Sequence, residues 1–352
     1  MLGLNVIMKR YYYMDVLNIF ATFAVVMLHS TGYAFWNVGD APWREAVVLQ
    51  VLFIFAVPVF FMISGANLLD YRLKEETSSF FRKRLHRIAI PFLFWTIVWF
   101  IYQNVQEWHH PWSSWHTYAR LFNGLMHNSV QPIFWFFYII IGFYLSAPLL
   151  TKIFTVENKA LVQYLIVLNL IINGVISYYY QVKQQDDFAL IGGFSIGLSG
   201  SIVFFAIGWY LKHFPLAKRQ THLLTIAGLL SVVIMIVATI VLSDRRGQYQ
   251  HQVYTIWGIF GITWSVAVYN LFQRWLINFQ PKPRLARLLK NVAGASLGVY
   301  VIHDFFIDTI SRQGFLKNGS PEQFYGMPVL VWLLSVLLVL LIKKIPLLKE
   351  TV

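Results

Sequence analysis

Ten apolar stretches, each long enough to cross a lipid bilayer, divide this chain and restrict the folds open to it. A transmembrane helix needs roughly 17–25 predominantly apolar residues. We place the ten spans at 15–36, 46–69, 88–106, 132–154, 160–180, 194–212, 221–242, 253–273, 291–311 and 327–345. Hydrocarbon cannot satisfy a free backbone N–H or C=O group, so each span is expected to be an α-helix.

The amino-acid composition agrees with a membrane location. Of the 352 residues, 58% are hydrophobic and only 12% are charged, whereas soluble domains carry roughly 25% charged residues. The net charge of +13 would suit a nucleic-acid-binding protein, but the basic residues fall in short loops between apolar spans. We therefore predict no nucleic-acid partner. The absence of cysteine excludes disulfides, thiolate metal sites and cysteine nucleophiles.

The basic residues also predict the orientation of the chain. Loops on alternate sides of the ten spans hold 21 of the 28 Lys and Arg residues on one side and 7 on the other. Cytoplasmic loops are enriched in Lys and Arg, so both termini are expected in the cytoplasm. The sequence thus predicts one all-α, multi-pass helical bundle over residues 1–352, lying in the cell membrane with the lipid bilayer as its partner and with no appended soluble domain.

His29 is the most unusual residue of the first predicted span. No other ionisable side chain lies between Asp15 and His29 in the run VLNIFATFAVVMLH. Ionisable groups within membrane spans are costly to bury and mark functional sites, and an imidazole can exchange a proton near neutral pH. We favour a functional role for His29 over the alternative, a structural hydrogen bond to a neighbouring helix.

Two polar residues precede His29 on the same predicted helix. Asp15 lies at its start, where a carboxylate can cap free N–H groups and face the positive end of the helix dipole, or can act in catalysis. Asn18 lies eleven residues before His29, which is about three helical turns, so the two share roughly one face. Both are candidates for the catalytic group around His29.

A second histidine lies at a similar predicted depth near the other end of the chain. His303 occurs in GASLGVYVIHDFFIDTISR, on a span that is also predicted to run outward from the cytoplasm. It is a candidate for a second catalytic group or for a structural partner, with neither favoured. Asp304, Asp308 and Arg312 follow at spacings of four and can form an ion-paired ladder on one helix face, a structural clasp.

A basic cluster stands immediately before the third span, in FFRKRLHRIAIPFLFW. It contains Arg82, Lys83, Arg84, His86 and Arg87. Such a cluster can set the topology and contact anionic lipid, each charge contributing about 1 kcal/mol. Alternatively, it can bind the phosphates of a cytosolic cofactor, because the arginine fork matches phosphate geometry.

The longest predicted extracytoplasmic loop, 107–131, is rich in aromatic and histidine residues. We favour an interfacial segment whose Trp and Tyr side chains lie at headgroup level over a sugar-binding platform. His109, His110 and His116 are a weak signal for a metal, since no Cys and few acidic residues accompany them.

Four segments together resemble the acyltransferase family 3 membrane proteins. The helix ending in His29 resembles that family's Arg-x10-His motif, and PVFFMISGANLL is similar to its Phe-Phe-x-x-Ser-Gly element. RLHRIAIP matches its Arg-x-x-Arg motif at Arg84 and Arg87. FWFFYIIIGFYLSAPLL and SLGVYVIH are similar to its later Trp-Phe and Tyr-x-x-His elements. The chain departs from the family at Asn18, where an arginine is expected.

The resemblance implies transfer of an acyl group, usually acetyl, from an acyl-CoA donor to a hydroxyl of a surface glycan, a lipid-linked sugar or a related acceptor. His29 is then expected to be the general base, assisted by Asn18, Asp15 or His303, with a covalent acyl-histidine as the alternative. Acyl-CoA is expected at Arg84, Arg87 and Ser64, and substrate at Trp135 and Tyr138. Acetyl-CoA serves as donor substrate, and no metal is expected.

Two other classes of function fit the same features. Buried histidines and many spans also suit a transporter or flippase for a glycolipid or small anion, although no paired, Gly- or Pro-broken spans in two related halves are evident. A non-catalytic partner of a polysaccharide assembly system is the third class, favoured by the missing motif arginine. Hydrolysis or transfer of acyl-CoA by the purified protein distinguishes the enzyme from both.

Overall fold

The computed structural model describes residues 10–36, 38–184 and 200–352. These residues form α-helices joined by short 3₁₀ and π-helical turns and contain no β-strand. The helices are α1 (Tyr12–Ser30), α2 (Ala41–Phe53), α3 (Ala56–Leu68), α4 (Thr77–Arg84), α5 (Ile90–Gln103), α6 (Trp115–Met126), α7 (Trp135–Ile153), α8 (Lys159–Asn169), α9 (Tyr178–Lys183), α10 (Ile202–His213), α11 (Lys218–Arg246), α12 (Ile259–Leu276), α13 (Pro283–Gly294), α14 (Ser296–Arg312) and α15 (Met327–Ile342).

The all-α membrane bundle is confirmed. Within the described ranges, eight helical segments are long and apolar enough to span a membrane, and the bent pair α13–α14 is a ninth. The predicted span 194–212 is represented by the shorter α10, because 194–199 lie outside the described residues. The cytoplasmic placement of both termini and the single domain over 1–352 stay predictions.

Helix α1 lies at the centre of the bundle and packs against α2, α3, α12, α13, α14 and α15. It ends at Ser30, not at residue 36 as predicted. The Thr31 hydroxyl and N–H both bond to the Met27 carbonyl, at 2.8 and 3.1 Å, and a 3₁₀ turn follows over Gly32–Phe35. His29 therefore lies in the last turn of α1, near one end of the bundle.

Helices α3 and α10 approach so closely that only glycine fits at two positions. A Cβ atom on Gly65 would lie 2.2 Å from the Phe205 carbonyl oxygen, and one on Gly208 would lie 2.0 Å from that of Met62. Small residues let transmembrane helices pack at their backbones. Gly65, the motif residue next to Ser64, thus fixes the wall that carries Ser64.

One helical turn further along α10, an ion pair joins this helix to the turn that follows α3. Lys212 Nζ lies 2.6 Å from Asp70 Oδ2, and Trp209 Nε1 donates to Asp70 Oδ1 at 2.8 Å. The Asp70 residue is 8% exposed. Because a buried carboxylate needs both charge and hydrogen-bond partners, this network holds the two helices in register.

Helices α13 and α14 meet at a bend of 58° around Ala295. The bend exposes carbonyl groups at the end of α13, which need donors from elsewhere. Asn18 Nδ2 donates to the Ala293 carbonyl at 3.3 Å, and Lys343 Nζ donates to that of Gly294. Asn18 therefore connects the centre of α1 to this bend.

The predicted loop 107–131 contains a helix, α6, which the sequence analysis missed.

The ion-paired ladder predicted after His303 forms only in part. Asp308 and Arg312 pair with each other and with residues of another segment. Arg312 lies 2.7 Å from Asp308 and 2.6 Å from Glu107, and Tyr102 donates to Asp308 at 2.5 Å. Asp304, placed in the ladder by the sequence analysis, is not part of it.

Candidate active site

A cavity of about 620 Å³ extends into the bundle from the end that carries the basic cluster, here called the basic end. Its walls come from six parts of the chain: α1, α3, the α4–α5 junction, α7, the α13–α14 bend and the C-terminal tail. The lining residues are Asn18, Val25, Val57, Phe60, Ile63, Ser64, Asn67, Leu68, Arg82, Lys83, Arg84, His86, Arg87, Ile88, Phe136, Ile140, Tyr144, Ala293, Gly294, Ser296, Leu297, Tyr300, Lys349, Glu350 and Val352.

The mouth of the cavity is strongly positive. Arg84 is the last residue of α4, and Arg87 lies in the π-helical turn Leu85–Ala89 that joins α4 to α5. This turn places both arginines of the Arg-x-x-Arg motif in the cavity wall. In the part of the chain that the structure describes, Arg82, Arg84 and Arg87 form no ion pair, so their charges are available to an anionic ligand.

Arg84 is held rigidly although it has no carboxylate partner. Its guanidinium carbon lies 5.2 Å from the ring centroid of Phe80 and 5.4 Å from that of Tyr144. Cations stack on aromatic faces at such distances. Its Nε–H group is buried and has no hydrogen-bond acceptor. One N–H group of Arg84 is therefore unpaired inside the protein.

A lysine near the basic end has a lowered pKa. Burial lowers the pKa of the Lys343 ammonium, and the charge of Arg87 lowers this pKa further. In the tail, Glu350 supplies a carboxylate to the same mouth and lies 3.4 Å from His86 Nδ1. Trp95 Nε1 donates to the Thr351 carbonyl at 2.7 Å and fastens the tail there.

The deep end of the cavity stops one helical turn short of two histidines. Val25 lines the cavity and precedes His29 by four residues, which is about 6 Å along α1. On α14, the ring of Tyr300 lines the cavity and stacks on His303 with centroids 6.4 Å apart. The cavity thus connects the basic cluster to the neighbourhood of both histidines.

His29 and His303 lie in contact across the α1–α14 interface. Their ring centroids are 5.0 Å apart at an angle of 64°. His303 is fully buried, and its Nδ1 lies 3.1 Å from the Val299 carbonyl oxygen. A carbonyl only accepts, so Nδ1 carries the proton, and Nε2 of the neutral ring has a free lone pair. That Nε2 has no partner in the structure.

Asp304 completes this cluster. One ligand atom each from His29, His303 and Asp304 lie within 4.8 Å of one another. Gln131, a residue 5% exposed, donates from Nε2 to Asp304 Oδ2 at 3.1 Å and orients the carboxylate. His29 and Asp304 are half-buried, whereas His303 is enclosed, so the cluster has one fixed member and two that face accessible space.

The remaining predicted residues fall in different places. Asn18 and Ser64 line the cavity, but Asn18 lies about 16 Å along α1 from His29, too far to orient the ring. Asp15 pairs with Arg10, with both nitrogen–oxygen distances at 2.8 Å, at the start of α1 outside the cavity lining. This ion pair lies in the first turn of α1, where no side-chain capping hydrogen bond forms, and a catalytic role for Asp15 stays a prediction.

The two predicted substrate contacts also lie outside the cavity lining. Trp135 packs on Phe61 and Trp257, with ring centroids 6.3 Å apart in both cases. The Tyr138 hydroxyl donates to the Leu125 carbonyl and is therefore occupied. These contacts assign both residues to packing in this structure, and their role in substrate binding stays a prediction.

The sequence analysis missed several residues of the site. Tyr144, Ser296 and Glu350 line the cavity, and Gln131 supports Asp304. Tyr144 and Ser296 lie within two of the segments that resemble the family, but neither is a residue of their motifs. Gln131 and Glu350 lie far along the chain from both histidines, so only the packing of distant helices brings these two to the site.

Comparison with known protein families identifies the family of this chain. The acyltransferase family 3 model, described as an acyltransferase domain, matches residues 11–343. The chain belongs to this family. Comparisons with curated proteins and with solved structures find no match. Family membership and the apolar helices together make the chain a multi-pass membrane acyltransferase. The match includes every α-helix that lines the cavity, from α1 to α14, and ends before the C-terminal tail.

Proposed function

We propose that this acyltransferase moves an acetyl group from acetyl-CoA to a hydroxyl of a surface glycan or lipid-linked sugar in the cell membrane. The observation that carries the proposal is the cavity that joins Arg84 and Arg87 at its mouth to the His29–His303 pair near its deep end. One end suits the phosphates of coenzyme A, and the other suits acyl transfer.

The charge of the donor complements the charge of the cavity mouth. Phosphates bind at the mouth, where arginine forks are free of acidic partners. The pantetheine arm then follows the narrow, largely apolar interior past Ser64 and Asn18. The Asn18 amide donates to the Ala293 carbonyl, so its Oδ1 atom, which has no partner among the described residues, is free to accept from an amide N–H of the arm.

The chemistry follows from the free lone pairs of the histidine pair. His29 removes the proton of the acceptor hydroxyl as the oxygen attacks the thioester carbonyl carbon. The new C–O bond forms, the C–S bond breaks, and the thiolate takes the proton to leave as coenzyme A. His303 stays neutral beside His29, and the Asp304 carboxylate stabilises the transient imidazolium. General-base catalysis of this kind contributes typically 10²–10⁴-fold.

The acceptor reaches His29 from the end of the bundle opposite to the basic cluster. His29 lies in the last turn of α1, and its side chain is half-buried. Donor and acceptor therefore approach the cluster from opposite directions. This arrangement suits a donor in the cytoplasm and an acceptor at the outer face, as the predicted orientation of the termini requires.

The proposal is tested with purified protein in lipid nanodiscs and radiolabelled acetyl-CoA. We expect the release of free coenzyme A to depend on a glycan or lipid-linked sugar acceptor and the label to appear as an alkali-labile ester on it. Mass analysis of surface glycans from cells with and without the gene should show the same acetyl mass. Transport of a glycolipid without any consumption of acetyl-CoA would favour a flippase and contradict the proposal.

A further inference from the structure

The cluster of His29, His303 and Asp304 has the donor set of a transition-metal site. Two imidazoles and a carboxylate with a fourth position open to solvent are a common ligand set for Zn²⁺. The three ligand atoms lie within 4.8 Å of one another, and no hydrogen bond joins them. A tetrahedral zinc ion with bonds near 2.0–2.2 Å needs ligand atoms about 3.3–3.6 Å apart. The widest separation must therefore close by roughly 1.2–1.5 Å.

The partly exposed members of the cluster can supply this closure. His29 and Asp304 are half-buried, so small rotations of their side chains move their ligand atoms inward. His303 is the anchor, since it is fully buried and its ring is fixed by Val299. Its Nε2 is an unpartnered acceptor in the interior, and such an atom is costly unless a ligand or proton occupies it.

The outer contacts of the cluster are those that metal ligands usually make. Metal-bound histidines donate their second N–H to a carbonyl or carboxylate, and bound carboxylates are themselves hydrogen-bonded. His303 meets the first condition through Val299, and Asp304 meets the second through Gln131. These contacts fix a histidine tautomer in which the Nε2 lone pair of His303 has no partner and is free to bind a metal.

We propose that His29, His303 and Asp304 bind one Zn²⁺ ion and that zinc reversibly inhibits the enzyme. The lone pair that would bind the metal is the same one with which His29 accepts the proton of the acceptor, so the two uses exclude each other. The binding claim stands independently of acyl transfer, whereas the inhibition rests on the proposed function. In the proposed mechanism, His29 acts as the base without a bound metal.

Zinc binding is tested on the full chain in nanodiscs after treatment with a chelator. We expect one equivalent of zinc to bind, measured by elemental analysis and by titration calorimetry. His303→Gln and Asp304→Asn remove ligands and should weaken binding by at least tenfold. Gln131→Leu removes the supporting hydrogen bond and should weaken binding about 10–100-fold.

Asp308→Asn is the matched control, because Asp308 lies one turn from Asp304 on the same helix and belongs to the clasp with Arg312. It should bind zinc as the wild type does. Acetyl transfer by the wild type should fall in proportion to the zinc bound and recover with chelator. Equal zinc affinity in Asp304→Asn, or no stoichiometric binding, would overturn the site. Activity that requires zinc would overturn the inhibitory role.

Discussion

Three buried polar atoms in the cavity wall lack a hydrogen-bond partner. They are Asn18 Oδ1, Arg84 Nε and Ser296 Oγ. A buried polar atom without a partner costs about 1–3 kcal/mol. They belong to a larger set of such atoms spread through the described residues, but in this cavity a bound ligand can supply their partners. In the proposed complex, coenzyme A places its phosphates at the Arg84 guanidinium and its amide groups near Asn18 and Ser296.

Arg84 and Arg87 are the residues proposed to bind the phosphates of acetyl-CoA. Arg84→Ala should raise the KM for acetyl-CoA about 10–100-fold with little change in kcat, because a hydrogen bond to a charged group contributes about 1.5–3 kcal/mol. Steady-state kinetics with varied acetyl-CoA measures both constants. Arg87→Ala should act in the same direction.

Arg274→Ala serves as control for these variants, since Arg274 is an exposed arginine at the end of α12, outside the cavity lining. Its KM should equal that of the wild type. If Arg84→Ala also keeps the wild-type KM, the basic cluster acts in topology or lipid contact alone.

At the scale of residues, the sequence identified His29, His303, Arg84, Arg87 and Ser64 because each departs from an apolar background or belongs to a motif. It did not identify Asp304 as a neighbour of His29. The spacing of four grouped Asp304 with Asp308, whereas the structure pairs it with Gln131 on a distant segment. Contacts between helices far apart in sequence carry no local signal.

Among the helices, the α3–α10 contact determines the shape of the cavity wall. Gly208→Ala should lower the stability of the folded protein by about 1–3 kcal/mol, because overpacking of a tight contact forces the backbones apart. Gly65→Ala should behave likewise. Thermal unfolding in detergent, followed by intrinsic tryptophan fluorescence, measures the effect.

A glycine in open space provides the matched control. A Cβ atom on Gly142 of α7 meets nothing within 4 Å, so Gly142→Ala should leave stability unchanged or raise it slightly through better helix propensity. Equal unfolding temperatures for Gly208→Ala and Gly142→Ala would show that the α3–α10 contact tolerates a methyl group.

The C-terminal tail is a second element with a measurable effect. Glu350 lies in the cavity mouth beside His86, where its carboxylate competes with a phosphate for the basic cluster. Glu350→Gln should lower the KM for acetyl-CoA by up to about fivefold, the range of an exposed ion pair. Glu322→Gln, outside the cavity lining, is the control; a higher KM in Glu350→Gln would mean that the carboxylate helps to bind the donor.

The elements themselves were predictable to different degrees. Apolar length located the spans, because the bilayer requires it. It did not locate the end of α1, where Tyr33, Ala34, Phe35 and Trp36 continue the apolar run past a turn that begins at Thr31. Apolar length also did not predict α6, which is an amphipathic helix in a segment too polar to span the membrane, or the bend at Ala295.

At the scale of the whole molecule, the proposed function has the bundle separate the two substrates. The basic cluster and the half-buried His29 lie toward opposite ends, and Val25 and Tyr300 stand between the cavity and the histidine pair. An acyl group delivered at the basic end therefore reaches the acceptor only through the centre of the bundle. This geometry requires His29 for transfer but not for binding of the donor.

The most direct measurement compares acetyl transfer by wild type, His29→Gln and His222→Gln in nanodiscs. His222 is an exposed histidine of α11, so its variant controls for the loss of an imidazole elsewhere. We expect His29→Gln to lower kcat about 10²–10⁴-fold, with unchanged affinity for acetyl-CoA and unchanged unfolding temperature, while His222→Gln keeps wild-type activity. Wild-type kcat in His29→Gln would contradict the account.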